Sequence, residues 1–385
     1  MIDKPMPRRG VVGRGGALPS LESLSGEPRE WHASLPYTRL TDYGMDAADA
    51  RELLWRTARD EEWVSVAAEI GHRQLVRANE AGASGTAATQ LAAIRAGAAA
   101  INVAQIVINQ DTARKRALYR EFQDAVGRYA QLKGGIERVS LPYGDGVVEG
   151  WLILPPSAPS GAVAVWGGLS GWGAAYLAVG EALAARGLAC LLAEGPGQGS
   201  TRLESHIYAS ENTLAGYRRF VDFLETDSRT SGLPVGIYGN SIGGMLAARV
   251  CAADTRVRAC AVNCSPVAAD LPDAVGPREQ FLAFLGLADG GDHSSDLIRG
   301  LHFLPKRHRL RSPLLVLHGG ADQLVTQQDA AAYLEAVRDI DAAELVHWPD
   351  GEHTLYNHSV ERNEVVADWF REQLLRPGSL ESLAG

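Results

Sequence analysis

The chain has 385 residues, enough for a catalytic domain with a second, appended element. Apolar residues make up 46% of it and charged residues 22%, which is typical of a globular protein and excludes a disordered or fibrous chain. The 46 Asp and Glu outnumber the 37 Lys and Arg, and the net charge is −9. We therefore expect neither nucleic acid nor an anionic membrane as a partner.

The cysteines and the hydropathy pattern predict where the protein is located. The four cysteines, at positions 190, 251, 260 and 264, show no C-x-x-C spacing, so we expect reduced core residues rather than a disulfide framework. No stretch approaches the roughly 18 apolar residues of a membrane span. The basic N-terminus is not followed by the apolar run of a secretory signal. A cytoplasmic protein is expected.

In chain order, the sequence divides into three parts. Residues 1–40 begin with a stretch rich in Gly, Pro, Ser and Arg and are predicted to form a flexible tail. Residues 41–135 are rich in alanine, with apolar residues three and four apart, which predicts a helical cap or lid domain. After Gly134 and Gly135 the hydrophobic period changes, and residues 136–377 are predicted to form an α/β catalytic domain.

Within residues 136–377, short apolar runs alternate with amphipathic segments. Strands are predicted at Ile136–Leu141, Val147–Leu154, Ala162–Trp166, Leu188–Ala193, Val235–Tyr238, Ala259–Asn263, Leu314–His318 and Glu344–Trp348. The first two should form an antiparallel hairpin. The others, continuously apolar and separated by helices, favour a mainly parallel sheet covered on both faces. An insertion at about residues 267–310 interrupts the alternation and is typical of a lid.

The strongest motif is G-x-S-x-G around Ser241. An apolar strand leads into Gly239-Asn240-Ser241-Ile242-Gly243, and a helix-forming run follows. This strand–turn–helix is the setting of a nucleophile elbow, in which the serine hydroxyl projects above a parallel sheet. The simpler alternative is a glycine-rich helix start. We predict a nucleophilic serine, with the N–H of Ile242 at the helix start facing a developing oxyanion.

A nucleophilic serine needs a base and a carboxylate that orients the base. In this architecture the acid and then the histidine follow the serine along the chain. Asp322 follows the predicted strand Leu314–His318, and His353 follows the predicted strand Glu344–Trp348. We assign Asp322 as the orienting acid and His353 as the general base, with His358 as the alternative base.

The loop after the strand Ala162–Trp166 is predicted to complete the site. Its sequence, Gly167-Gly168-Leu169-Ser170-Gly171-Trp172, allows backbone N–H groups to turn toward a ligand. Gly168 or Leu169 is the expected second oxyanion donor. The residues predicted to line the substrate pocket are Ser170, Trp172, Tyr176 and Asn240, with Trp55, Trp63, Trp166, Phe281 and Phe284 as further aromatic candidates for which core packing is the alternative.

No pattern requires a metal or an organic cofactor. The segment Glu194-Gly-Pro-Gly-Gln198-Gly-Ser is a poor dinucleotide fingerprint because a proline interrupts its glycines. The sequence has no Walker motif and no H-E-x-x-H. We expect neither a cofactor nor a metal.

Over roughly residues 136–375 these motifs resemble the α/β-hydrolase fold. More narrowly, a helical region followed by G-G-L, G-P-G-Q-G and G-N-S-I-G-G resembles the branch that contains the FrsA-like esterases, 2,6-dihydroxypseudooxynicotine hydrolase and fungal polyketide-shortening hydrolases. The resemblance implies a helical lid over the site, a homodimer through that region, and in some members cleavage of a carbon–carbon bond beside a ketone. It also implies that Ser241, Asp322 and His353 form the triad, with Gly168 and Ile242 at the oxyanion.

The chain departs from this branch at two positions. Ser170 stands where the carbon–carbon hydrolase of the nicotine pathway carries a glutamate, and Glu194 stands where aspartate is common. We therefore expect a serine hydrolase that cleaves an ester, a thioester or a carbon–carbon bond in a polyketide-like or aromatic carbonyl compound. The alternatives are an acyltransferase or cyclase that uses the same triad, a binding protein without turnover, and an interaction protein built on the helical region.

Overall fold

The computed structural model describes residues 17–273, 275–287, 294–338 and 342–376. In these residues the apolar runs form one eight-stranded sheet in the order β1-β2-β4-β3-β5-β6-β7-β8. The strands are β1 (Ile136–Tyr143), β2 (Gly146–Ile153), β3 (Gly161–Trp166), β4 (Leu188–Glu194), β5 (Val235–Asn240), β6 (Val257–Asn263), β7 (Leu314–Gly319) and β8 (Ala343–Trp348). β2 pairs antiparallel with β1 and β4, and the strands from β4 to β8 are parallel. The predicted hairpin and mainly parallel sheet are confirmed.

Helices precede the sheet and cover it. Those before it are α1 (Gly26–Ser34), α2 (Tyr37–Asp42), α3 (Ala47–Thr57), α4 (Trp63–Ala83), α5 (Ala87–Ile106) and α6 (Ala113–Lys133). Those that follow are α7 (Leu177–Ala184), α8 (Gly199–Leu203), α9 (Thr213–Thr226), α10 (Ile242–Ala253), α11 (Val275–Phe284), α12 (Ser294–Leu301), α13 (Gln327–Ala336) and α14 (Ser359–Leu375). Among the helices of the described ranges, none is both long and apolar enough to cross a bilayer.

The core has two layers because side chains alternate across a strand. On β3, Val163 and Val165 join a cluster that includes residues of α4, α5, α6, α7 and α14. Ala164 and Trp166 face the other layer, which includes residues of α9, α10 and α13. The helical region therefore shares a continuous core with one face of the sheet.

The connections around β3 create the place for a site. The chain leaves β3 for β4 on one side and returns to β5 on the other. The loops that follow β3 and β5 therefore diverge at the carboxyl ends of the strands and leave a crevice, which is where α/β proteins of this kind bind ligands. The loop after β3 begins at Gly167, and Ser241 follows β5 directly.

The predicted flexible tail of residues 1–40 is wrong in its second half. α1 and α2 are helical there, and the side chains of Leu35 and Leu40 are 1% and 0% exposed. Two isolated leucines in such short helices leave no period to detect, and only packing against the rest of the chain orders them. The predicted tail also includes residues 1–16, which lie outside the described residues.

The predicted insertion at 267–310 contains α11 and α12. Its two aromatic candidates, Phe281 and Phe284, are buried in the core layer that also holds residues of α9, α10 and α13. Phe284 closes over Gly197, where an added Cβ would lie 2.3 Å from its ring. These rings therefore follow the core-packing alternative.

We expect Gly71→Val to destabilise the helical region. A Cβ on Gly71 of α4 would lie 2.6 Å from Ile101 Cγ1 and 3.1 Å from the carbonyl oxygen of Gly97, both on α5. Such overpacking costs about 1–3 kcal/mol of unfolding free energy. Gly127→Ala in α6, where the nearest atom is 3.9 Å away, should instead stabilise by about 0.5–1 kcal/mol. Thermal and urea unfolding of both variants measures this, and shifts of the same sign would contradict the packing described.

Candidate active site

The turn between β5 and α10 holds Ser241 in a strained conformation. Its backbone has φ 52° and ψ −127°, a region that costs a non-glycine residue about 1–3 kcal/mol. The flanking glycines are sterically required: a Cβ on Gly239 would lie 2.3 Å from the Gly243 carbonyl oxygen, and one on Gly243 would lie 2.2 Å from that of Gly167. The strand, the helix and the loop after β3 therefore approach one another around the serine.

The structure brings Ser241, His353 and Asp322 into one hydrogen-bonded chain. His353 Nδ1 lies 2.8 Å from Asp322 Oδ2, and His353 Nε2 lies 3.1 Å from Ser241 Oγ. Because a carboxylate only accepts, Nδ1 donates to Asp322, and Nε2 of the neutral ring is left to accept from the serine hydroxyl. The alternative base, His358, is not brought to Ser241 and pairs with Asp350 at 3.0 Å.

The environment of Asp322 keeps its carboxylate ionised. Its side chain is fully buried, and burial alone would raise its pKa. The hydrogen bond and charge of His353, with the N–H groups of Leu324 and Val325 at 2.8 and 3.1 Å, outweigh that effect and lower the pKa of Asp322 below its ordinary value. The ionised carboxylate holds the imidazole with Nε2 toward the serine.

The loop that carries His353 is fixed by buried polar contacts. The next two residues, Thr354 and Leu355, have left-handed φ values of 57° and 59°. The Thr354 carbonyl oxygen accepts from Asn263 Nδ2 at 3.0 Å and from Arg362 Nη1 at 2.8 Å. Arg362 also forms a buried, bidentate ion pair with Asp42 of α2. The helical region thus supports the loop of the predicted base.

Gln198 holds the loop after β3, and sequence reasoning did not assign it a role. Its Nε2 donates to the carbonyl oxygens of Gly167 at 2.7 Å and Gly168 at 2.9 Å, and its side chain is buried. In a trans peptide the N–H points opposite to the carbonyl. The N–H groups of Gly168 and Leu169 therefore point away from Gln198. A Cβ on Gly168 would lie 3.2 Å from Ser241 Cβ, so this backbone lies directly against the serine.

Glu194 is a buried carboxylate that lies between α6 and the turns at residues 173 and 199–200. It is 1% exposed, and its carboxylate accepts from the hydroxyl of Tyr119 at 2.6 Å, from Gln123 Nε2 at 2.9 Å and from the N–H of Ser200 at 2.6 Å. Burial raises the pKa of Glu194. A Cβ on Gly173 would collide with this carboxylate at 2.2 Å. Glu194 therefore joins α6 to the turns at residues 173 and 199–200.

The predicted pocket residues separate into two groups. Trp172, Tyr176 and Ser170 lie in or just after the loop that follows β3, and Trp172 Nε1 donates to the Leu169 carbonyl oxygen at 3.0 Å. Asn240 is a correction: it is 1% exposed, and its Oδ1 accepts from Tyr238 and Asn263, so it braces the sheet beneath Ser241 instead of lining a pocket. Side chains alternate between the two faces of a strand, so Asn240 points into the sheet when the next residue, Ser241, projects above it.

The remaining aromatic candidates lie outside the loop after β3 and outside the loops that carry Ser241 and His353. Trp166 is fully buried against Tyr217, with ring centroids 4.6 Å apart. Trp63 is 4% exposed and donates to the Val103 carbonyl oxygen. Trp55 lies on α3 beneath the guanidinium of Arg59. Within the described ranges, no group of three or more His, Cys, Asp or Glu side chains is placed to hold a metal ion.

We expect Asp322→Asn to reduce stability in a pH-dependent way. The folded-state pKa of Asp322 is lowered, so its ionised form stabilises the fold above the unfolded value of about 3.9, and this contribution is lost as the pH falls through the lower, folded value. At pH 7 the free energy of unfolding of the wild type should exceed that of the variant by about 1–3 kcal/mol. This difference should shrink below about pH 4.

Urea unfolding at several pH values measures that difference. The control is Asp350→Asn, which removes an aspartate whose side chain is 76% exposed and should have little effect. A difference between wild type and Asp322→Asn that is independent of pH would contradict the account of Asp322.

Comparisons with known proteins agree with this architecture. Residues 157–287 match the family Hydrolase_4, described as serine aminopeptidase, S33. The crystal structure of 2,6-dihydroxy-pseudo-oxynicotine hydrolase superposes with a TM-score of 0.77 at 20% identity, over 88% of this chain and 96% of that one. Wild-type AbyA5 superposes with a TM-score of 0.59 at 19% identity, over 79% of this chain and 88% of that one. No curated protein matches the sequence. These likenesses show that the chain has the α/β-hydrolase fold.

Proposed function

We propose that the chain is a serine hydrolase in which Ser241, His353 and Asp322 form the catalytic triad. The observation that carries this proposal is the hydrogen-bonded chain from Asp322 through His353 to Ser241 Oγ, with distances of 2.8 and 3.1 Å, on a serine held in a strained turn. A serine in an ordinary helix start needs neither a base nor strain. The same set argues against a binding protein without turnover, since binding alone does not require it.

The reaction would proceed in two steps. His353 Nε2 takes the proton of Ser241 as Oγ attacks the substrate carbonyl, and the bond from the carbonyl carbon to its leaving group breaks as His353 returns the proton to that group. Water, deprotonated by His353, then attacks the acyl-enzyme and releases an acid and the free serine. Asp322 stays ionised throughout and stabilises the imidazolium that forms.

The oxyanion would form against backbone N–H groups. The donors are the N–H of Ile242, at the start of α10, and that of Gly168 or Leu169, in the loop held by Gln198. Preorganised donors of this kind contribute about 3–4 kcal/mol each to the transition state. The leaving group need not be an alcohol, because a thiol or a carbanion stabilised by a ketone fits the same steps.

For the substrate we propose an aromatic or polyketide-like carbonyl compound. Two aromatic rings beside the loops of the candidate site, Tyr176 and Tyr356, support this class. So does the likeness in fold to 2,6-dihydroxy-pseudo-oxynicotine hydrolase. The helical region would serve as the cap, because Asp42 and Thr38 on α2 contact Arg362 and Glu352 beside His353. A homodimer and a cytoplasmic location stay predictions.

A fluorophosphonate probe tests the nucleophile. We expect covalent labelling of the wild type at Ser241, located by mass spectrometry, and none in Ser241→Ala. His353→Ala should slow labelling by at least about a hundredfold, because the serine loses its base. His358→Ala is the matched control and should label at the wild-type rate. An unlabelled, folded wild type, or equal effects of the two histidine variants, would refute the triad.

Gln198→Leu tests the oxyanion loop. The leucine keeps the approximate volume but removes both hydrogen bonds to the loop, so we expect kcat for an activated ester to fall by about 10–100-fold with KM changed far less. Gln74→Leu is the control, since Gln74 is also buried and donates a hydrogen bond to Asp49 in the helical region. Steady-state kinetics of both variants with the activated ester measure kcat and KM. An unchanged kcat in Gln198→Leu would exclude this positioning role.

A further inference from the structure

Arg39 on α2 lies between the two loops that carry the candidate site. Its Nη2 donates to Ser170 Oγ at 2.8 Å, in the loop after β3. Its guanidinium carbon lies 5.2 Å from the ring centre of Tyr356, three residues after His353. Arg39 therefore contacts both of these loops. Sequence reasoning missed Arg39 because it falls within the predicted flexible tail.

The charge of Arg39 has no acidic partner among the described residues. Its Nε and Nη2 donate to the Tyr43 hydroxyl oxygen at 3.1 and 2.9 Å, and its Nη1 donates to the Ser34 carbonyl oxygen at 2.8 Å. In contrast, the buried guanidinium groups of Arg202 and Arg362 each pair with an aspartate. Drawing a cation out of water without a counter-charge costs free energy, so a partly buried, unneutralised guanidinium beside a reaction site needs another explanation.

The surroundings of Arg39 are suited to a flat, anionic group. The rings of Tyr43 and Tyr356 lie on one side of the guanidinium, with their centres 5.3 and 5.2 Å from its carbon and 6.2 Å from each other. Tyr176 packs edge-on to Tyr43, with ring centroids 6.5 Å apart. A guanidinium offers parallel N–H donors that match two oxygens of a carboxylate or of an ionised 1,3-dicarbonyl. Ser170, a neutral acceptor, can be displaced from it without breaking an ion pair.

We propose that Arg39 is a specificity-determining residue that binds a negatively charged oxygen of the substrate, a carboxylate or an enolate, and so directs the site toward anionic carbonyl compounds. The proposal rests on the proposed function for turnover, but binding can be measured without turnover. The charge and the planar donors of the guanidinium supply the recognition.

The binding experiment uses Ser241→Ala with benzoate and benzamide, which share a shape and differ in charge. Isothermal titration calorimetry should give at least tenfold tighter binding of benzoate. In Ser241→Ala with Arg39→Met this advantage should disappear, and with Arg39→Lys part of it should return, because lysine keeps the charge but not the planar donors. Failure of both compounds to bind, equal binding, or a benzoate advantage that survives Arg39→Met would each overturn the proposal.

The kinetic experiment compares the mono-p-nitrophenyl ester of glutaric acid with p-nitrophenyl pentanoate. The ratio of their kcat/KM values should favour the acidic ester in the wild type and fall at least tenfold in Arg39→Met. Arg59→Met is the matched control, since Arg59 also stacks on an aromatic ring, 3.9 Å above Trp55, but is exposed in the turn after α3. It should keep the wild-type ratio. A ratio that Arg39→Met leaves intact would make Arg39 merely structural.

The two proposals can fail separately. If neither ester is hydrolysed and Ser241 takes no fluorophosphonate, the serine hydrolase function is refuted, while the benzoate comparison still decides the role of Arg39. If the neutral ester is hydrolysed but benzoate has no advantage, the hydrolase stands and the anion site is refuted.

Discussion

The buried ion pair between Asp42 and Arg362 joins α2 of the helical region to the loop that carries His353. Each side chain is 4% exposed, and Arg362 also donates to the carbonyl of Thr354, next to His353. A buried pair of this kind is strongly destabilising when either partner is lost, because the other charge is left uncompensated. The positions of α2 and of the His353 loop therefore depend on one another.

The candidate site consists of short loops held from behind. Sterically required glycines let the backbones around Ser241 approach to distances that a side chain would prevent. Gln198 and Glu194, both buried, turn the loop after β3 and tie it to α6. These polar contacts direct backbone N–H groups outward, where a developing charge would need them. The precision of such a site comes from its supporting residues as much as from the triad.

The helical region contributes side chains to the candidate site. α2 carries both Asp42, which supports the loop of the base, and Arg39, which contacts the loop after β3. Ser170, a position at which the resemblance places a glutamate in a carbon–carbon hydrolase, accepts a hydrogen bond from Arg39 without neutralising it. In our proposal the charge of Arg39 thereby stays available to a substrate at the candidate site.

Local pattern was enough to predict the sheet, the turn at Ser241 and the three residues of the hydrogen-bonded chain. A strand–turn–helix with obligatory glycines is specified within about ten residues, and the acid and base follow successive strands whose apolar runs are unambiguous. The ordered helices at residues 26–42, the burial of Asn240 and the roles of Arg39 and Gln198 depended on the tertiary structure. Their partners are distant in the chain, with Asp42 and Arg362 separated by 320 residues. A contact of that range leaves no period or spacing in the sequence, because only the folded core brings its two ends together.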